Sequence, residues 1–328
     1  MRVAILGAAH PHVAYALDEV AARSDCELVA AAEPDETMRH TFLSDLGDVP
    51  VYDRIDDLLR AHEIDIALVV GIYSERASAV LSALDAGAHV VADKPLCTSL
   101  ADLDRIERRA EQTGLHVSVV FEKRFYPATL ALRRLLAEGT LGEVALVAST
   151  GPHKLNQPAR PGWFLHRDTY GGIAGDLPVH DIDLVLTLSG AAAGTVSALT
   201  GNARRAHHPD FDDHVAVLLH AGEVSATIEA NWLAPQASEV HGHYRMRVTG
   251  TRGTAELDWA YDALTVETHD QPRHVIDLPP ARRPAAYFFD AVAAGREPEV
   301  TTRQSLLATR VALLAQESAD DGGTHRVW

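Results

Sequence analysis

One stretch ends a strand-like run with a lysine, a side chain that can stabilise negative charge during a reaction. In "HVVADKPLCTSL" (89–100), the apolar run ends at Asp93, Lys94 and Pro95. Proline cannot continue the strand and restrains the residue before it, so Lys94 is presented at the end of the strand. An ammonium group there can donate to a substrate hydroxyl and stabilise a developing alkoxide. A strand-terminal lysine taken alone would equally suit a surface charge.

A second stretch combines a carboxylate with an imidazole. In "GGIAGDLPVHDIDLVLTLSG" (171–190), two glycines lead into a predicted helix that carries Asp176 and His180. Residues four apart share one face of a helix, so these two side chains can form an acid–base pair. Histidine suits this work because it titrates near neutral pH. The spacing alone is explained as well by a helix-start aspartate and a packed histidine.

The start of the chain carries an altered dinucleotide-binding loop. In "VAILGAAHPHVAY" (3–15), an apolar strand meets a glycine and turns into a predicted helix, and this junction usually reads G-x-G-x-x-G. The three positions hold Gly7, Ala9 and His12. Gly7 permits the tight turn, Ala9 adds a methyl where the backbone approaches a pyrophosphate, and His12 is bulky. We expect the imidazole edges of His10 and His12 to lie near a bound pyrophosphate or nicotinamide.

An acidic residue after the second predicted strand supports a dinucleotide site. Glu33 stands in "AAEPD", where a carboxylate can accept hydrogen bonds from both hydroxyls of a ribose. The same charge would repel a 2′-phosphate, so the sequence favours NAD over NADP. A solvated glutamate before Pro34 is the alternative.

The histidines also raise the question of a metal site. His10 and His12 are separated by one residue, but the helix predicted from His12 turns them apart, and no cysteine or third histidine stands nearby. A second group lies in "HHPDFDDH" and "HGH". Its members are His207, His208, His214, His241 and His243. Their spacing matches no closed metal site, so we expect no metal.

The first part of the chain alternates short apolar runs with helical patterns. This repetition predicts a parallel sheet with helices on both faces, whose ligands bind beyond the carboxyl ends of the strands. The predicted strands are Val3–Leu6, Glu27–Ala31, Ile66–Val70, His89–Val91 and His116–Val119. The predicted helices lie near 12–23, 35–45, 53–61, 75–86 and 99–112.

The pattern changes near residue 120. A predicted helix (128–138) is followed by longer β-rich runs, which are typical of a mostly antiparallel sheet. These runs cover 142–150, 194–202, 213–221, 224–232, 243–249 and 254–258, and helical patterns cover 178–189, 284–295 and 302–319. We predict an α/β chain with a doubly wound nucleotide-binding domain at 1–122. A second α/β domain with a large open sheet is predicted at 123–328.

Composition excludes several classes of protein. The 328 residues carry a net charge of −17, whereas a surface that binds nucleic acid would be basic. No apolar run approaches the ~18 residues that a membrane span needs. Two cysteines make no disulfide framework, and the first strand begins too early for a signal peptide. We therefore expect a cytoplasmic protein without nucleic-acid or membrane partners.

As a set, these motifs strongly resemble the Gfo/Idh/MocA oxidoreductases over nearly the whole chain. An (E/D)-K-P motif is present as Asp93, Lys94 and Pro95. A G-G-x-x-x-D-x-x-x-H motif is present as Gly171, Gly172, Asp176 and His180. Four further stretches match the habits of the family: "FEKRFYPA" (121–128), "LGEV" (141–144), "GTRGTAELD" (250–258) and "GREPEVTTRQSL" (295–306).

The resemblance implies a Rossmann domain for NAD(P) and an α/β domain whose open sheet faces partner subunits in a homodimer or homotetramer. It implies oxidation of a hydroxyl on a sugar, a polyol such as a cyclitol, or a related small molecule. By motif matching, His180 takes the proton from that hydroxyl. Lys94 orients the hydroxyl and shares the acid–base work, and Asp176 positions the substrate. Lys94 and Pro95 are also implied to border the cofactor.

One loop departs from the family pattern. The family often carries proline and, four residues later, histidine where "GIYSERA" has Ile72 and Arg76. That loop usually lines the cofactor. We therefore expect Tyr73 to stack against the cofactor, with simple packing as the alternative.

Candidate substrate contacts come from a loop that mixes aromatic rings with hydrogen-bond donors, a mixture suited to a polyhydroxylated compound. In "GPHKLNQPARPGWFLHRDTYGG" they are His153, Trp163, Arg167 and Tyr170, and Arg124 in "FEKRFYPA" is a further one. Arg167 could grip the carboxylate of an acidic sugar. Solvent-facing side chains on a long loop explain any one of them equally well.

Three alternatives to a dehydrogenase stay open. An NAD-using hydrolase or lyase of this fold can oxidise its substrate transiently and return the hydride, with no net NADH. A non-catalytic binding protein would tolerate the altered loops, although it would not need Lys94, Asp176 and His180 together. A metal-dependent hydrolase would use the additional histidines.

Overall fold

The computed structural model describes residues 1–157, 160–204 and 208–328. His207, one of the histidines considered as a metal ligand, lies outside the described residues. The chain divides into two compact units. The first comprises Met1–Val120, Asp168–Gly171 and Arg283–Thr309, and the second comprises Phe121–Arg167, Gly172–Arg282 and Arg310–Trp328.

A six-stranded parallel sheet forms the centre of the first unit. Its strands are β1 (Arg2–Ala8), β2 (Glu27–Ala32), β3 (Val51–Tyr52), β4 (Ile66–Val70), β5 (His89–Ala92) and β6 (Val117–Val119). They lie in the order β3-β2-β1-β4-β5-β6, which confirms the predicted doubly wound fold. All residues of β4 are buried, as expected of a strand that is covered on both faces.

Five helices connect these strands: α1 (Val13–Ala21), α2 (Glu36–Leu43), α3 (Ile55–Ala61), α4 (Arg76–Asp85) and α5 (Leu100–Thr113). Side-chain caps fix where two of them begin. The Asp35 carboxylate accepts a hydrogen bond from the Met38 N–H (2.9 Å), and Ser99 Oγ accepts one from the Asp102 N–H (3.1 Å). Gly114 ends α5 with a φ of +69°, a conformation that suits glycine.

A nine-stranded sheet forms the main layer of the second unit. Its strands are β7 (Val144–Pro152), β8 (Gly194–Gly201), β9 (His214–Ala221), β10 (Val224–Asn231), β11 (Arg245–Gly250), β12 (Gly253–Asp258), β13 (Ala263–Thr268), β14 (His274–Val275) and β15 (Arg326–Val327). They lie in the order β14-β13-β12-β11-β7-β10-β9-β8-β15. Only the β7–β10 pair among these strands is parallel, so the prediction of a mostly antiparallel sheet is confirmed.

The remaining helices are α6 (Pro127–Ala137), α7 (Arg167–Tyr170), α8 (Ile173–Asp176), α9 (Val179–Ser189), α10 (Ala286–Ala293) and α11 (Thr302–Asp320). Helices α6 and α9 pack on the nine-stranded sheet. Side chains alternate between the two faces of a strand, and the face away from these helices carries Leu146, Leu199 and Leu218. These leucines are 55%, 60% and 58% exposed, respectively. One face of the sheet is therefore open and partly apolar.

The prediction that one helix carries both Asp176 and His180 is wrong, because the structure has two helices there. Helix α8 ends at Asp176, and α9 begins at Val179. Pro178 stands between them and lacks the N–H that a continuous helix would need. Asp176 and His180 therefore do not share one face of one helix.

Within the described residues, no helix combines the length and the apolar character that crossing a membrane requires.

Candidate functional site

Gly7 shapes the loop at the end of β1. Its φ is +87°, and a Cβ built on it would lie 2.8 Å from Gly71 Cα, which is closer than real Cβ contacts come. Only glycine fits here, both for the turn and for this close approach. The Ala9 N–H donates to the Val70 carbonyl (2.9 Å), so the buried Ala9 is also fixed against the end of β4. The loop thus stands between a buried strand and a helix, as a dinucleotide-binding loop does.

Glu33 folds back on this loop from the end of β2. Its carboxylate accepts hydrogen bonds from the Ala8 N–H (2.6 Å) and from the Asp35 N–H (2.8 Å). Burial raises the pKa of Glu33, although the two backbone donors oppose the shift. Each carboxylate oxygen has a second lone pair, so these bonds leave acceptor capacity for ribose hydroxyls.

His10 and His12 lie beside Asp93, a contact that the sequence pattern does not predict. The ring centroids of the two histidines are 4.2 Å apart, so the expectation that the helix turns them apart is wrong. His12 Nδ1 donates to Asp93 Oδ1 (2.8 Å), and His10 Nδ1 lies 3.6 Å from Asp93 Oδ2. Arg76 Nη2 donates to the same Oδ2 (3.0 Å). Burial acts to raise the pKa of Asp93, but the charges of His12 and Arg76 outweigh it and hold that pKa well below its ordinary value.

The same three side chains, His10, His12 and Asp93, are close enough to hold a metal ion between them. A guanidinium already donates to one of the Asp93 oxygens, and a divalent cation at that oxygen would be repelled by it. The geometry therefore favours a hydrogen-bonded network that ties the altered loop to the end of β5.

The His10 imidazole is buried and neutral near pH 7. Burial lowers its pKa well below the ordinary value, and the charges of His12, Lys94 and Arg76 lower it further while Asp93 opposes them. The His12 N–H approaches His10 Nδ1 (3.3 Å). His10 Nδ1 is therefore an acceptor, and the ring proton belongs on Nε2.

We expect this neutral histidine to make the protein less stable in acid. The pKa of His10 is lower in the folded chain than in the unfolded chain, so the unfolded chain binds the proton first. The free energy of unfolding contributed by the neutral imidazole is complete above the pKa of the unfolded chain. It declines as the pH falls below that pKa, by roughly 1 kcal/mol between about pH 7.5 and 5.5. His10→Asn keeps an acceptor near the position of Nδ1 but has no group that titrates in this range. Its free energy of unfolding should therefore fall less between these two pH values. Urea unfolding of both proteins at the two pH values measures the difference, and an identical pH dependence would contradict the expectation.

Lys94 is the second residue after β5 and is buried, and the peptide bond to Pro95 is cis. Nearby in the same unit, the ring of Tyr73 stacks on that of Tyr170, with centroids 5.7 Å apart and planes at 27°. The Arg76 guanidinium lies 4.4 Å from the centre of the Tyr73 ring. The structure therefore places Tyr73, predicted to contact the cofactor, against Tyr170, predicted to contact the substrate.

His180 lies in the first turn of α9, in the second unit, with its imidazole against a carboxylate. Its Nε2 lies 3.3 Å from Glu122 Oε1, and the residue is 3% exposed. The Phe121 ring meets the imidazole edge-to-face, with centroids 6.2 Å apart. An adjacent carboxylate stabilises the imidazolium that forms when a histidine accepts a proton. Glu122 stands in the family-like stretch "FEKRFYPA", and the sequence pattern indicates no role for it.

Two ion pairs also join the stretch "FEKRFYPA" (121–128) to helix α9. Lys123 Nζ donates to both carboxylate oxygens of Asp181 (3.0 and 2.8 Å), and Arg124 Nε donates to Asp183 Oδ2 (2.6 Å). Ser149 Oγ donates to Asp181 Oδ1 (2.6 Å). All these side chains are buried. Because Lys123 and Asp181 are the sequence neighbours of Glu122 and His180, their ion pair fixes the carboxylate beside the imidazole.

The second glycine of the G-G motif makes room for a side chain that holds α8. Gly172 has a φ of +109°, and a Cβ on it would overlap Gln316 Oε1. That oxygen accepts a hydrogen bond from the Ala174 N–H (3.1 Å). Asp176, at the end of α8, is fully buried. The glycine thus lets Gln316 fix the short helix that positions Asp176.

The other candidate substrate contacts are also engaged within the second unit. Arg124 is buried in its pair with Asp183. Arg167 Nη2 donates to Asp320 Oδ2 (2.5 Å). His153 Nδ1 donates to the Gly151 carbonyl (2.9 Å) and its ring packs on Tyr244, while Trp163 is half-buried against Phe164. Each of these side chains therefore has a structural role beside the role that the sequence predicts.

Comparisons with known proteins decide the family. Residues 1–121 match a family model described as an oxidoreductase family with an NAD-binding Rossmann fold, and residues 129–256 match the model of the GFO/IDH/MocA C-terminal domain. The chain belongs to the Gfo/Idh/MocA oxidoreductases. As a member it is an NAD-dependent enzyme of the dehydrogenase type, so the predicted family, enzyme class and cofactor are confirmed.

Three proteins similar to this chain share 28% to 32% of the aligned residues with it. A trans-1,2-dihydrobenzene-1,2-diol dehydrogenase of Macaca fascicularis is 28% identical over 72% of this chain and 67% of its own length. A protein proposed to be the oxidoreductase subunit of a UDP-kanosamine synthase in Amycolatopsis mediterranei is 32% identical over 71% and 68%. A solved structure from Erwinia carotovora, described as a candidate oxidoreductase, has a TM-score of 0.90 at 28% identity and covers 97% of this chain and 98% of that one.

The residues at the Rossmann loop fit the NAD that the family implies. Gly7 provides the turn, and Glu33 provides acceptor capacity for a ribose. The N-cap residue of α1, His12, makes no side-chain hydrogen bond to the backbone N–H groups of the first turn. The N-cap side chain therefore does not compete with an anionic phosphate for these N–H groups. The altered glycine pattern is therefore compatible with a dinucleotide.

Proposed function

We propose that this Gfo/Idh/MocA enzyme oxidises a hydroxyl of a sugar, a polyol such as a cyclitol, or a related small molecule. The observation that carries the proposal is the buried His180 imidazole, whose Nε2 lies 3.3 Å from the Glu122 carboxylate within the family-like motif. A positioned base with an anionic neighbour is suited to taking a proton from an alcohol.

The catalytic roles follow from the chemistry of the side chains. NAD, when bound at the Gly7 loop, would supply the hydride acceptor for the carbon that carries the hydroxyl. His180 takes the hydroxyl proton, and Glu122 stabilises the resulting imidazolium. Lys94, presented at the end of β5, donates to the same oxygen and stabilises its negative charge. Asp176 orients the substrate and tunes the other two groups.

The substrate class is supported by the loop residues and by the relatives. His153, Trp163, Arg167 and Tyr170, together with Arg124, are the proposed substrate contacts, a mixture of aromatic and donor groups that suits several hydroxyls. The two named relatives concern a cyclic diol and a nucleotide-linked sugar. Both names are consistent with a small compound that carries hydroxyls on a ring.

A panel of sugars, cyclitols, linear polyols and cyclic diols tests this proposal. Each compound is incubated with the protein and NAD, and NADH absorbance and product are both quantified. We expect at least one class to yield NADH in an amount equal to the oxidised product. Product without NADH would indicate a hydrolase or lyase that returns the hydride, and no reaction across the panel would contradict the proposed substrate class.

Glu33→Gln tests the role of this carboxylate in cofactor choice. The substitution keeps the shape of the side chain but removes its charge, so we expect NAD affinity to fall about tenfold and the preference over NADP to narrow. Calorimetric titration with both dinucleotides measures the change. Glu36→Gln, exposed in the first turn of α2, is the matched control and should bind as the unaltered protein does. Equal NAD affinity in Glu33→Gln would exclude the ribose contact.

Three further assignments belong to the proposal. Residues 1–122 would bind the cofactor, and residues 123–328 would bind the substrate and join subunits. We place the enzyme in the cytoplasm, on the support of two cysteines that form no disulfide. The open face of the nine-stranded sheet would pair with a second copy, because an exposed apolar sheet otherwise favours aggregation.

Leu218→Asp is expected to separate the subunits. Leu218 is 58% exposed and lies on β9 between Ser197 of β8 and Thr227 of β10. Burying a carboxylate at this position in a subunit interface, without a partner for its charge, would be costly. Sedimentation at micromolar concentration should show a dimer or tetramer for the unaltered protein and a monomer for Leu218→Asp. Val51→Asp, 39% exposed on β3 of the other sheet, should leave the assembly intact. A monomeric unaltered protein would refute the assembly.

A further inference from the structure

Arg76 is a fully buried arginine that the proposed chemistry does not use. It begins α4 and stands at one of the positions where this chain departs from the family pattern. A guanidinium removed from water needs acceptors for its N–H groups. Nε donates to the Gly71 carbonyl (2.8 Å), Nη1 to the Pro95 carbonyl (2.9 Å) and Nη2 to Asp93 Oδ2 (3.0 Å).

Two of these contacts bracket Lys94. Arg76 donates to the side chain of Asp93, which precedes Lys94, and to the backbone carbonyl of Pro95, which follows Lys94. The planar guanidinium presents its donors in a fixed arrangement, so the two flanks of Lys94 are held at a fixed separation. The backbone from which the Lys94 side chain departs is thereby fixed by Arg76.

Arg76 also sets the charge beside Lys94. The two oxygens of the buried Asp93 carboxylate have different donors, His12 on Oδ1 and Arg76 on Oδ2. Without Arg76, Oδ2 would lose its cation, and a buried carboxylate in that state attracts any cation within reach. The ammonium of the adjacent Lys94 lies near enough to lower the pKa of His10, whose Nδ1 is 3.6 Å from that oxygen, so it is the cation we expect to respond. An ammonium drawn to Asp93 would be drawn away from a substrate hydroxyl.

We propose that Arg76 is a positioning residue for Lys94. It holds the segment 93–95 from both sides and neutralises Asp93, so that the Lys94 ammonium is kept for the reacting hydroxyl. This inference rests on the proposed function, in which Lys94 contacts that hydroxyl.

Nuclear magnetic resonance tests the inference without any turnover. The chain contains three lysines, Lys94, Lys123 and Lys154, so protein labelled with carbon-13 at lysine Cε gives three side-chain signals. Lys94→Arg assigns the signal of Lys94. In Arg76→Met that signal should move while the other two stay, and in Arg76→Met/Asp93→Asn it should return toward its original position. A Lys94 signal that does not move in Arg76→Met would overturn the proposal.

Kinetics of the same variants separate positioning from simple stabilisation. In Arg76→Met we expect kcat to fall about 10²-fold, the cost of a misplaced catalytic group, while the Kd of NAD stays within about threefold. The kcat of Arg76→Met/Asp93→Asn, which also lacks the Asp93 charge, should be at least about tenfold higher than the kcat of Arg76→Met. A double variant as slow as Arg76→Met would mean that the arginine is only structural. If the proposed function itself fails, Lys94→Met keeps its turnover although the Lys94 signal still moves in Arg76→Met.

Arg76→Lys provides a test that does not depend on the folding of Arg76→Met. Lysine retains a cation for Asp93 but cannot donate to the Gly71 and Pro95 carbonyls at once. In Arg76→Lys we expect the Lys94 signal to move by a small amount. We expect its kcat to lie between the kcat of the unaltered protein and the kcat of Arg76→Met. If Arg76→Met does not fold, the kcat of Arg76→Lys should still be lower than that of the unaltered protein. Unaltered signal and kcat in Arg76→Lys would overturn the bracketing role.

Discussion

Replacing His180 by asparagine is expected to lower kcat by about 10³-fold, because a positioned general base supplies about 10² to 10⁴ of an enzyme's rate. Asparagine keeps a polar group beside Glu122, which lies 3.3 Å from His180 Nε2, but it cannot accept a proton at neutral pH. The Kd of NAD should change little, because the lost interaction acts on the hydroxyl in the transition state. Steady-state kinetics with the best compound of the panel and calorimetry with NAD measure the two effects.

A matched substitution distinguishes this loss from a general effect of replacing a histidine. His269→Asn changes an exposed histidine of the same unit and should leave kcat unaltered. Glu122→Gln, which removes only the charge beside the ring, should lose less than His180→Asn. If His180→Asn kept more than about a tenth of the original kcat, His180 would not be the base.

Lys94→Met is expected to lower kcat by about 10² to 10³-fold, the usual cost of losing one donor to a developing oxyanion. Methionine fills similar space at the end of β5 but carries no charge. KM should rise less than kcat falls, because the ammonium interacts most strongly with the transition state. Initial rates over a range of substrate concentrations separate the two constants.

Two companion variants make the lysine result specific. Lys94→Arg keeps the positive charge in a larger group and should retain more activity than Lys94→Met. Arg105→Met, a loss of charge at a side chain 57% exposed on α5 of the same unit, should leave kcat unaltered. Full activity in Lys94→Met would remove this lysine from the mechanism.

Local patterns predicted most of the secondary structure. Strand β4 has the predicted bounds, Ile66–Val70, because a strand buried on both faces is written as a continuous apolar run. The predicted runs miss β13 (Ala263–Thr268) and the shortest strands. β3, β14 and β15 are each two residues long, too short for any periodicity, and they exist only through pairing with a neighbour.

The motifs indicated candidate catalytic residues, but not the side chains that surround them. His12 and Asp93 are 81 positions apart in the sequence and meet only because β1 and β5 end at the same edge of the sheet. The signal available for Asp93 was its place in the D-K-P motif after a strand. For Glu122 it was an acidic residue in a stretch that resembles the family. Neither signal specifies a partner, because contacts distant in sequence are set by the fold.

The break between α8 and α9 shows a different limit. Pro178 is a clear signal in the sequence, yet proline is also common at the first turn of a helix. The spacing of Asp176 and His180 fits one helix as well as two. Only the backbone shows that Asp176 closes one helix and His180 begins the next.

Calorimetric titration of the unaltered protein with NAD and, separately, with NADP is the measurement that tests the enzyme assignment most directly. The loop around Gly7 and the carboxylate of Glu33 lead us to expect micromolar affinity for NAD and affinity at least about tenfold weaker for NADP. Heat from neither dinucleotide, with no cofactor carried through purification, would contradict an NAD-dependent dehydrogenase.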